Sequence, residues 1–250
     1  MDMLQVKGAT KLYNGQAIFS DLDLSVAPGQ FKVMVGPSGC GKSTLFDGLT
    51  GVMGLDGGNI RWKDTTVSHL GRHAAYMQQK DLLLPWFSLL DNALLPSRTG
   101  GQKMNQARSI AQKLFVRLGL TGYESHSPHE VSGGMRQRCA LVRTLMFNRE
   151  LILLDEPLSA LDAITRQSLQ SLLLLLQTEF KKTILMITHD IEEALLLADE
   201  VCLLSPQPMV IKERFILDQP KPRHFNDPDL VEIKAYMLAQ LEEDATCEIG

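Results

Sequence analysis

Nine consecutive residues, GPSGCGKST from Gly36 to Thr44, make sense only between a buried strand and the start of a helix. Gly36, Gly39 and Gly41 let the backbone wrap closely around an anion, Lys42 adds a point charge, and Ser43 offers a hydroxyl to a divalent cation. Such a phosphate loop needs a strand to deliver it and a helix N-terminus to close it. Both are present: FKVMV, Phe31 to Val35, is a short apolar run, and Lys42 to about Leu49 is a helical stretch. The loop therefore commits the chain to an α/β architecture.

Three further apolar runs, Leu151–Leu154, Ile184–Thr188 and Val201–Leu204, read as buried strands, and helical patterns before two of them predict crossover connections and a mostly parallel sheet. Upstream, LQVKGATKLY, AIFSDLDLSV and FKVMV are separated by turn signals at Asn14-Gly15 and Pro28-Gly29, which predicts N-terminal antiparallel β-strands. Between Ser88 and Glu150 the pattern is helical, broken at Gly100-Gly101, as in a helical insertion. Ala163 to Phe180 reads as a helix packed on more than one face. Beyond Ser205 come five prolines and then DPDLVEIKAYMLAQLEED, where Asp227 and Pro228 suit the cap and first turn of a terminal helix. The expected organisation is a discontinuous α/β core (1–87 and 151–205), a helical subdomain (88–150) and a short tail (206–250).

A formal charge of −4 leaves no basic footprint for nucleic acid. No apolar run approaches the roughly 18–20 residues that span a bilayer, the longest leucine cluster being Leu172 to Leu176. The opening Met1-Asp2-Met3-Leu4 lacks the pattern of a signal peptide. Cys40, Cys139, Cys202 and Cys247 are scattered without a CxxC pair and read as reduced thiols of an intracellular protein, not as disulfides or zinc ligands.

LILLDEP, Leu151 to Pro157, ends an apolar strand with two carboxylates. Alternation along a strand means that Asp155 and Glu156 need not face the same way, so that one can organise Mg²⁺ while its neighbour faces an attacking water, and phosphoryl transfer uses both functions. A second anion-binding pattern lies at HEVSGGMRQRCALVRTL, where Ser132, Gly133 and Gly134 precede an amphipathic helix with Arg136 and Arg138 in its first turns. Ser132 also suits the cap of a helix beginning near Met135. His189 follows ILMIT and precedes Asp190, at a strand end where an open α/β sheet places its ligands. The histidines at 69, 73, 126, 129 and 224 read as surface or packing residues.

Taken in order, GPSGCGKST, VSGGMRQR, LILLDEP, SALD and ITHD resemble the ATP-binding subunit of ABC transporters over nearly the whole chain. The resemblance implies a P-loop NTPase that hydrolyses ATP with Mg²⁺. It implies that Gly36, Pro37, Ser38, Gly39, Cys40, Gly41, Lys42, Ser43 and Thr44 cradle the phosphates, and that Tyr13 stacks on adenine. Asp155, Ser43 and Gln79 (or its neighbour Gln78) would serve the metal, with Gln79 also beside the attacking water. Glu156 would be the general base, and His189 would contact the γ-phosphate. Two such subunits would pair head to tail, a homodimer meeting at Asp162, with Ser132, Gly133 and Gly134 of one closing on the ATP of the other. Val131 and Met135 depart from the family's usual leucine and glutamine.

The stretch QQKDLLLPWFSLLDNALLP is similar to that of importer subunits of the nitrate, sulfonate and taurine type and of thiamine-precursor uptake systems. This implies a separate membrane permease docked near Leu83, Leu84, Pro85, Trp86 and Phe87, an extracytoplasmic solute-binding protein, and a peripheral place on the cytoplasmic face of the membrane. The rival reading is a soluble relative such as an iron–sulfur assembly ATPase. Cys40, at a helix start, is either a thiol of lowered pKa whose alkylation blocks nucleotide binding or a small inert residue whose side chain points away.

Overall fold

The computed structural model describes residues 2–159 and 161–247, with side chains through Glu243. Strands β1 (Leu4–Tyr13) and β2 (Gln16–Val26) are joined by a two-residue turn in which Asn14 and Gly15 both take positive φ, 51° and 82°. That geometry matches the natural twist of a hairpin and is why Asn-Gly is favoured there. Next come β3 (Phe31–Val35), α1 (Lys42–Thr50), β4 (Gly57–Trp62), β5 (Thr65–Val67) and β6 (Ala74–Met77). The helical insertion holds α2 (Leu89–Thr99), α3 (Met104–Arg117) and α4 (Gly133–Met146). After it the chain alternates β7 (Leu151–Asp155), α5 (Ala163–Thr178), β8 (Thr183–Thr188), α6 (Ile191–Leu197) and β9 (Glu200–Leu204), then ends with β10 (Ile211–Ile216) and α7 (Pro228–Cys247).

These strands form two sheets, an antiparallel one in the order β2-β1-β4-β5 and a mixed one in the order β10-β9-β3-β8-β7-β6, parallel except for β10. Although grouped with the N-terminal antiparallel segments in the sequence, β3 lies in the second sheet between β8 and β9. It is buried on both faces, which explains a continuous apolar run in place of alternation. Phe31, Val33 and Val35 face one core with Ile152, Leu154, Ile184 and Met186. Met34 faces the other with Leu151, Leu153, Leu185 and Ile187. At about 1.5–3 kcal/mol per buried side chain, these layers dominate the fold's stabilisation.

Leu89, Ala93, Ala107, Ala111 and Phe115 of the insertion belong to the same cluster as the sheet residues Ile152 and Ile184, so the insertion shares the core instead of enclosing its own. α5 buries Leu169, Leu172, Leu173 and Leu176 along one face only, and it stops at Thr178, leaving Phe180 exposed. Four strands escaped the sequence reading. β4, β5 and β6 are short, glycine-rich or bounded by weak turn signals. β10, IKERFI, falls in the expected tail and carries exposed Lys212 and Arg214, as an edge strand does to avoid further pairing. Among the described residues no helix is long and apolar enough to cross a membrane.

Candidate active site

Because β3, β8, β7 and β6 are parallel, their C-terminal ends share one edge of the sheet. Gly36 follows β3, His189 follows β8, Glu156 follows β7, and Gln79 lies just beyond β6. Open α/β sheets bind ligands along this edge.

The phosphate loop turns into α1 at Gly41, whose φ is 119° and where an added Cβ would sit 2.6 Å from Ile18 Cγ2. Only glycine fits both constraints. No side chain caps α1 and its first turn holds no acidic residue, so its N–H groups and positive end are available to an anion. Lys42 is buried, its Nζ donating to the carbonyls of Gly36 (2.8 Å) and Pro37 (2.7 Å). Ile18 of β2 lies against the loop at Gly41, and Tyr13, at the end of the paired strand β1, is exposed.

Asp155 is the last residue of β7 and is 2% exposed. Its Oδ1 has no hydrogen-bond partner among the described residues. Burial pushes the carboxyl up to about 6, opposed by the Ser43 hydroxyl and reinforced by the charges of Glu156 and Asp47. Glu156 is already off the strand, at φ 48°. A left-handed turn therefore separates the two carboxylates, not the strand alternation expected from the sequence. That conformation costs a β-carbon residue about 1–2 kcal/mol. It is held by Glu156 N–H donating to Ile187 O (2.9 Å) and by Gln137 Nε2 donating to Glu156 O (3.0 Å).

The Glu156 carboxylate is the meeting point of three strand ends. Gln79 Nε2 donates to its Oε2 at 3.2 Å, and His189 Nδ1 lies 3.2 Å from its Oε1. Gln79, and not Gln78, makes this contact. Behind His189, Asp190 caps α6 by accepting from the N–H groups of Glu192 (2.8 Å) and Glu193 (3.2 Å).

Ser132 caps α4, accepting from Met135 N–H at 3.3 Å, and the helix begins at Gly133, earlier than the sequence suggested. Ser132 and Gly133 are exposed, and among the described residues no hydrogen bond joins Ser132–Gly134 to the phosphate loop. The arginines of α4 do not face an incoming anion, as the sequence pattern implied. Arg136 is taken by Asp81 Oδ2 (3.0 Å) and Val131 O (3.1 Å), and Arg138 by the carbonyls of Leu118 (2.8 Å) and Gly119 (3.3 Å). Arg143, donating to Leu82 O and Asp81 O (2.7 and 2.6 Å), joins Arg136 in tying α4 to the segment after Gln79, whereas Arg138 ties it to the end of α3. Asp162 caps α5 through Thr165 N–H (3.0 Å), which holds its carboxyl below the usual range.

The sequence reading missed Gln137 and Asp81. A lone glutamine beside the apolar Ala140 and Leu141, three and four residues on, was the available signal for the first. Nothing local marked the second.

Cys40 does not behave as a helix-start thiol. It is 2% exposed, and burial raises its pKa despite Lys42 Nζ at 3.8 Å, so its reactivity falls. Burial likewise holds Cys139 up to about 12 and Cys202 up to about 11. The side chain of Cys247 lies outside the described residues.

Residues 19–159 match the model of the ABC transporter family. The chain is 39% identical to the taurine import ATP-binding protein TauB of Yersinia pseudotuberculosis serotype I over 96% of its length and 97% of that protein's. It is 36% identical to TauB of Escherichia coli O157:H7, over 96% and 98% of the two chains. Its fold superimposes on the dimeric ATP-binding cassette MJ0796 in a post-hydrolysis state bound to ADP and Pi with a TM-score of 0.80 at 26% identity, covering 87% of this chain and 100% of that one. A phosphate loop, a desolvated carboxylate and a glutamate contacted from two neighbouring strand ends share one sheet edge, and the similarities show that the chain belongs to the ABC transporter family, as the ATP-hydrolysing subunit of an importer.

Proposed function

We propose that this chain powers uptake of taurine or a closely related small sulfonate and that it works as a pair of identical subunits. The observation that carries the pairing is the division of the site. Gly36–Thr44, Asp155, Glu156, Gln79 and His189 converge on one sheet edge, whereas Ser132 and Gly133 stand exposed at the start of α4 and, among the described residues, Ser132–Gly134 make no hydrogen bond to that loop. A second copy turned head to tail supplies the missing donors at the γ-phosphate. The solute is the one for which the relatives, matched over nearly their full length, are named.

The residues fit a magnesium ion. Asp155 presents a buried carboxylate oxygen without a partner, and the Ser43 hydroxyl faces it. Both are hard oxygen donors, and among the described residues no cluster of three His, Cys, Asp or Glu side chains forms a self-sufficient cage. That suits an ion that keeps water and shares ATP phosphates. Mg²⁺ held by Ser43 and Asp155, with Gln79 nearby, would neutralise phosphate charge. Glu156 accepts the proton of the attacking water, His189 and Gln79 hold that carboxylate in place, and Lys42 with the α1 N–H groups binds the phosphates. Tyr13 offers its exposed ring to adenine.

Mixing tests the divided site. Lys42→Ala and Ser132→Arg chains should each be inactive alone, whereas their mixture should regain about a quarter of wild-type ATP turnover, because one of the two sites in a mixed pair is whole. A mixture as inactive as its components would remove the head-to-tail pair.

Towards the permease the chain presents Trp86, 72% exposed, and Leu82, 53% exposed, whereas Leu83 packs into the core. Tagged chain taken from gently solubilised membranes should bring down a polytopic permease, and Trp86→Asp should release it without slowing the free chain's ATPase. In vesicles with the solute-binding protein, the complex should import taurine. Import of another solute, with taurine inert, would correct the substrate. Recovery of soluble assembly proteins alone would remove the importer's peripheral placement on the cytoplasmic face.

A further inference from the structure

The carboxylate of Glu193, on α6, is 4% exposed and none of the roles above uses it. Its Oε2 accepts from the Thr188 hydroxyl at 3.0 Å, and that hydroxyl in turn accepts from Asp190 N–H at 3.1 Å. Thr188 and Asp190 flank His189, so one buried group reaches both ends of the turn that presents the histidine to Glu156. On its other side, Oε1 lies 3.7 Å from Arg166 Nε, an ion pair just beyond hydrogen-bond reach. Arg166 Nε is buried without any hydrogen-bond partner. The same guanidinium donates to Leu161 O at 3.4 Å, and Arg166 N–H donates to Asp162 O at 2.8 Å. A small advance of the start of α5 would close the Arg166–Glu193 pair.

We propose that Glu193 is a positioning residue of the ATPase site: it fixes the Thr188–Asp190 turn so that His189 reaches Glu156, and through Arg166 it couples that turn to the Leu161–Asp162 segment. The Arg166 arm rests on the paired-subunit reading, in which Asp162 meets the partner. The His189 arm does not.

The electrostatics agree with a group held by few contacts. Burial and then the Asp190 charge push the Glu193 carboxyl up to about 7, while Thr188, Arg166 and His189 draw it down. Lys234 is engaged elsewhere, with Glu192. Because the contacts are so few, removing one leaves little to compensate it.

Steady-state ATP hydrolysis by the full-length chain tests the proposal. Glu193→Gln keeps the shape and an acceptor oxygen but removes the charge that attracts Arg166. It should lower kcat about tenfold and leave the KM for ATP within about twofold, the pattern of a contact used in the transition state. Thr188→Val, which deletes the hydroxyl between Glu193 and Asp190, should do the same. Arg166→Met should be slow as well, and the Glu193→Gln/Arg166→Met double variant no slower than the worse single, since residues of one network do not add. Unchanged kcat in Glu193→Gln, a raised KM at constant kcat, or losses that multiply in the double variant would each overturn the coupling. ATP binding measured on every variant separates these results from misfolding, and Thr188→Val supplies an independent route to the same reading. If wild-type turnover per chain did not rise with chain concentration, the paired-subunit reading and the Arg166 arm would fall together. A slow Thr188→Val would then still establish the His189 arm.

Discussion

Glu156→Gln should lower ATP turnover by about a thousandfold, within the range general-base removal produces, while the chain should still bind ATP. The geometry makes the substitution unusually clean. Glu156 is held by backbone contacts to Ile187 and Gln137 that an amide does not disturb, and a glutamine keeps one carbonyl oxygen for either Gln79 Nε2 or His189 Nδ1. What disappears is the basic oxygen that takes the proton of the attacking water. Bound ATP then outlasts the closed pair's usual lifetime, so gel filtration with Mg²⁺ and ATP should show a species of twice the 27.8 kDa chain, absent with ADP. Phosphate release within tenfold of the wild-type rate would show that the base is another group.

Asp155→Asn should stabilise the nucleotide-free chain while abolishing hydrolysis. The Asp155 carboxyl titrates at about 6 in the folded chain against 3.8 for the ordinary side chain. Between those values the folded state binds more protons than the unfolded state, so stability falls as pH rises through this window. Above it the penalty is complete, about 3 kcal/mol at 1.36 kcal/mol per unit. The amide carries no charge to desolvate. At pH 8 and without divalent cation the variant should melt about 5–10 °C higher than wild type, given the usual sensitivity of a chain this size. Below about pH 4 the difference should vanish, because both states of the wild-type residue are then protonated. Glu193, held up to about 7 against 4.5, adds a pH dependence of the same sign that the Asp155 variant retains. Equal melting temperatures at pH 8 would show that this carboxylate is not desolvated. The trade of stability for function has a physical reason: an oxygen left without a partner inside the protein is what a cation needs.

Much of this was legible in contiguous residues. A phosphate loop works through its own backbone, so GPSGCGKST carries its function wherever a strand and a helix flank it. β3, β7, β8 and β9 were visible because strands buried on both faces leave unbroken apolar runs. β10 was not, because an edge strand alternates with charge and lies between prolines. The position of the carboxylate pair LILLDEP was readable, but its geometry was misread, since a left-handed residue at Glu156 leaves no trace in its identity. The two readings of Cys40 stayed open for a related reason. Its place in the sequence signals a helix start, while its pKa follows burial by the surrounding chain.

By itself the sequence determined which groups exist and which local turn or strand end each occupies, because loop chemistry and hydrophobic period are properties of neighbouring residues. Only the tertiary structure decided which groups meet. Gln79 and Glu156 are 77 residues apart and come within 3.2 Å because parallel pairing aligns the C-terminal ends of β6 and β7 on one edge. The same packing engages Arg136 and Arg138 with distant parts of the chain and leaves Ser132 exposed, a division that arises from where α4 is docked and not from the local sequence pattern.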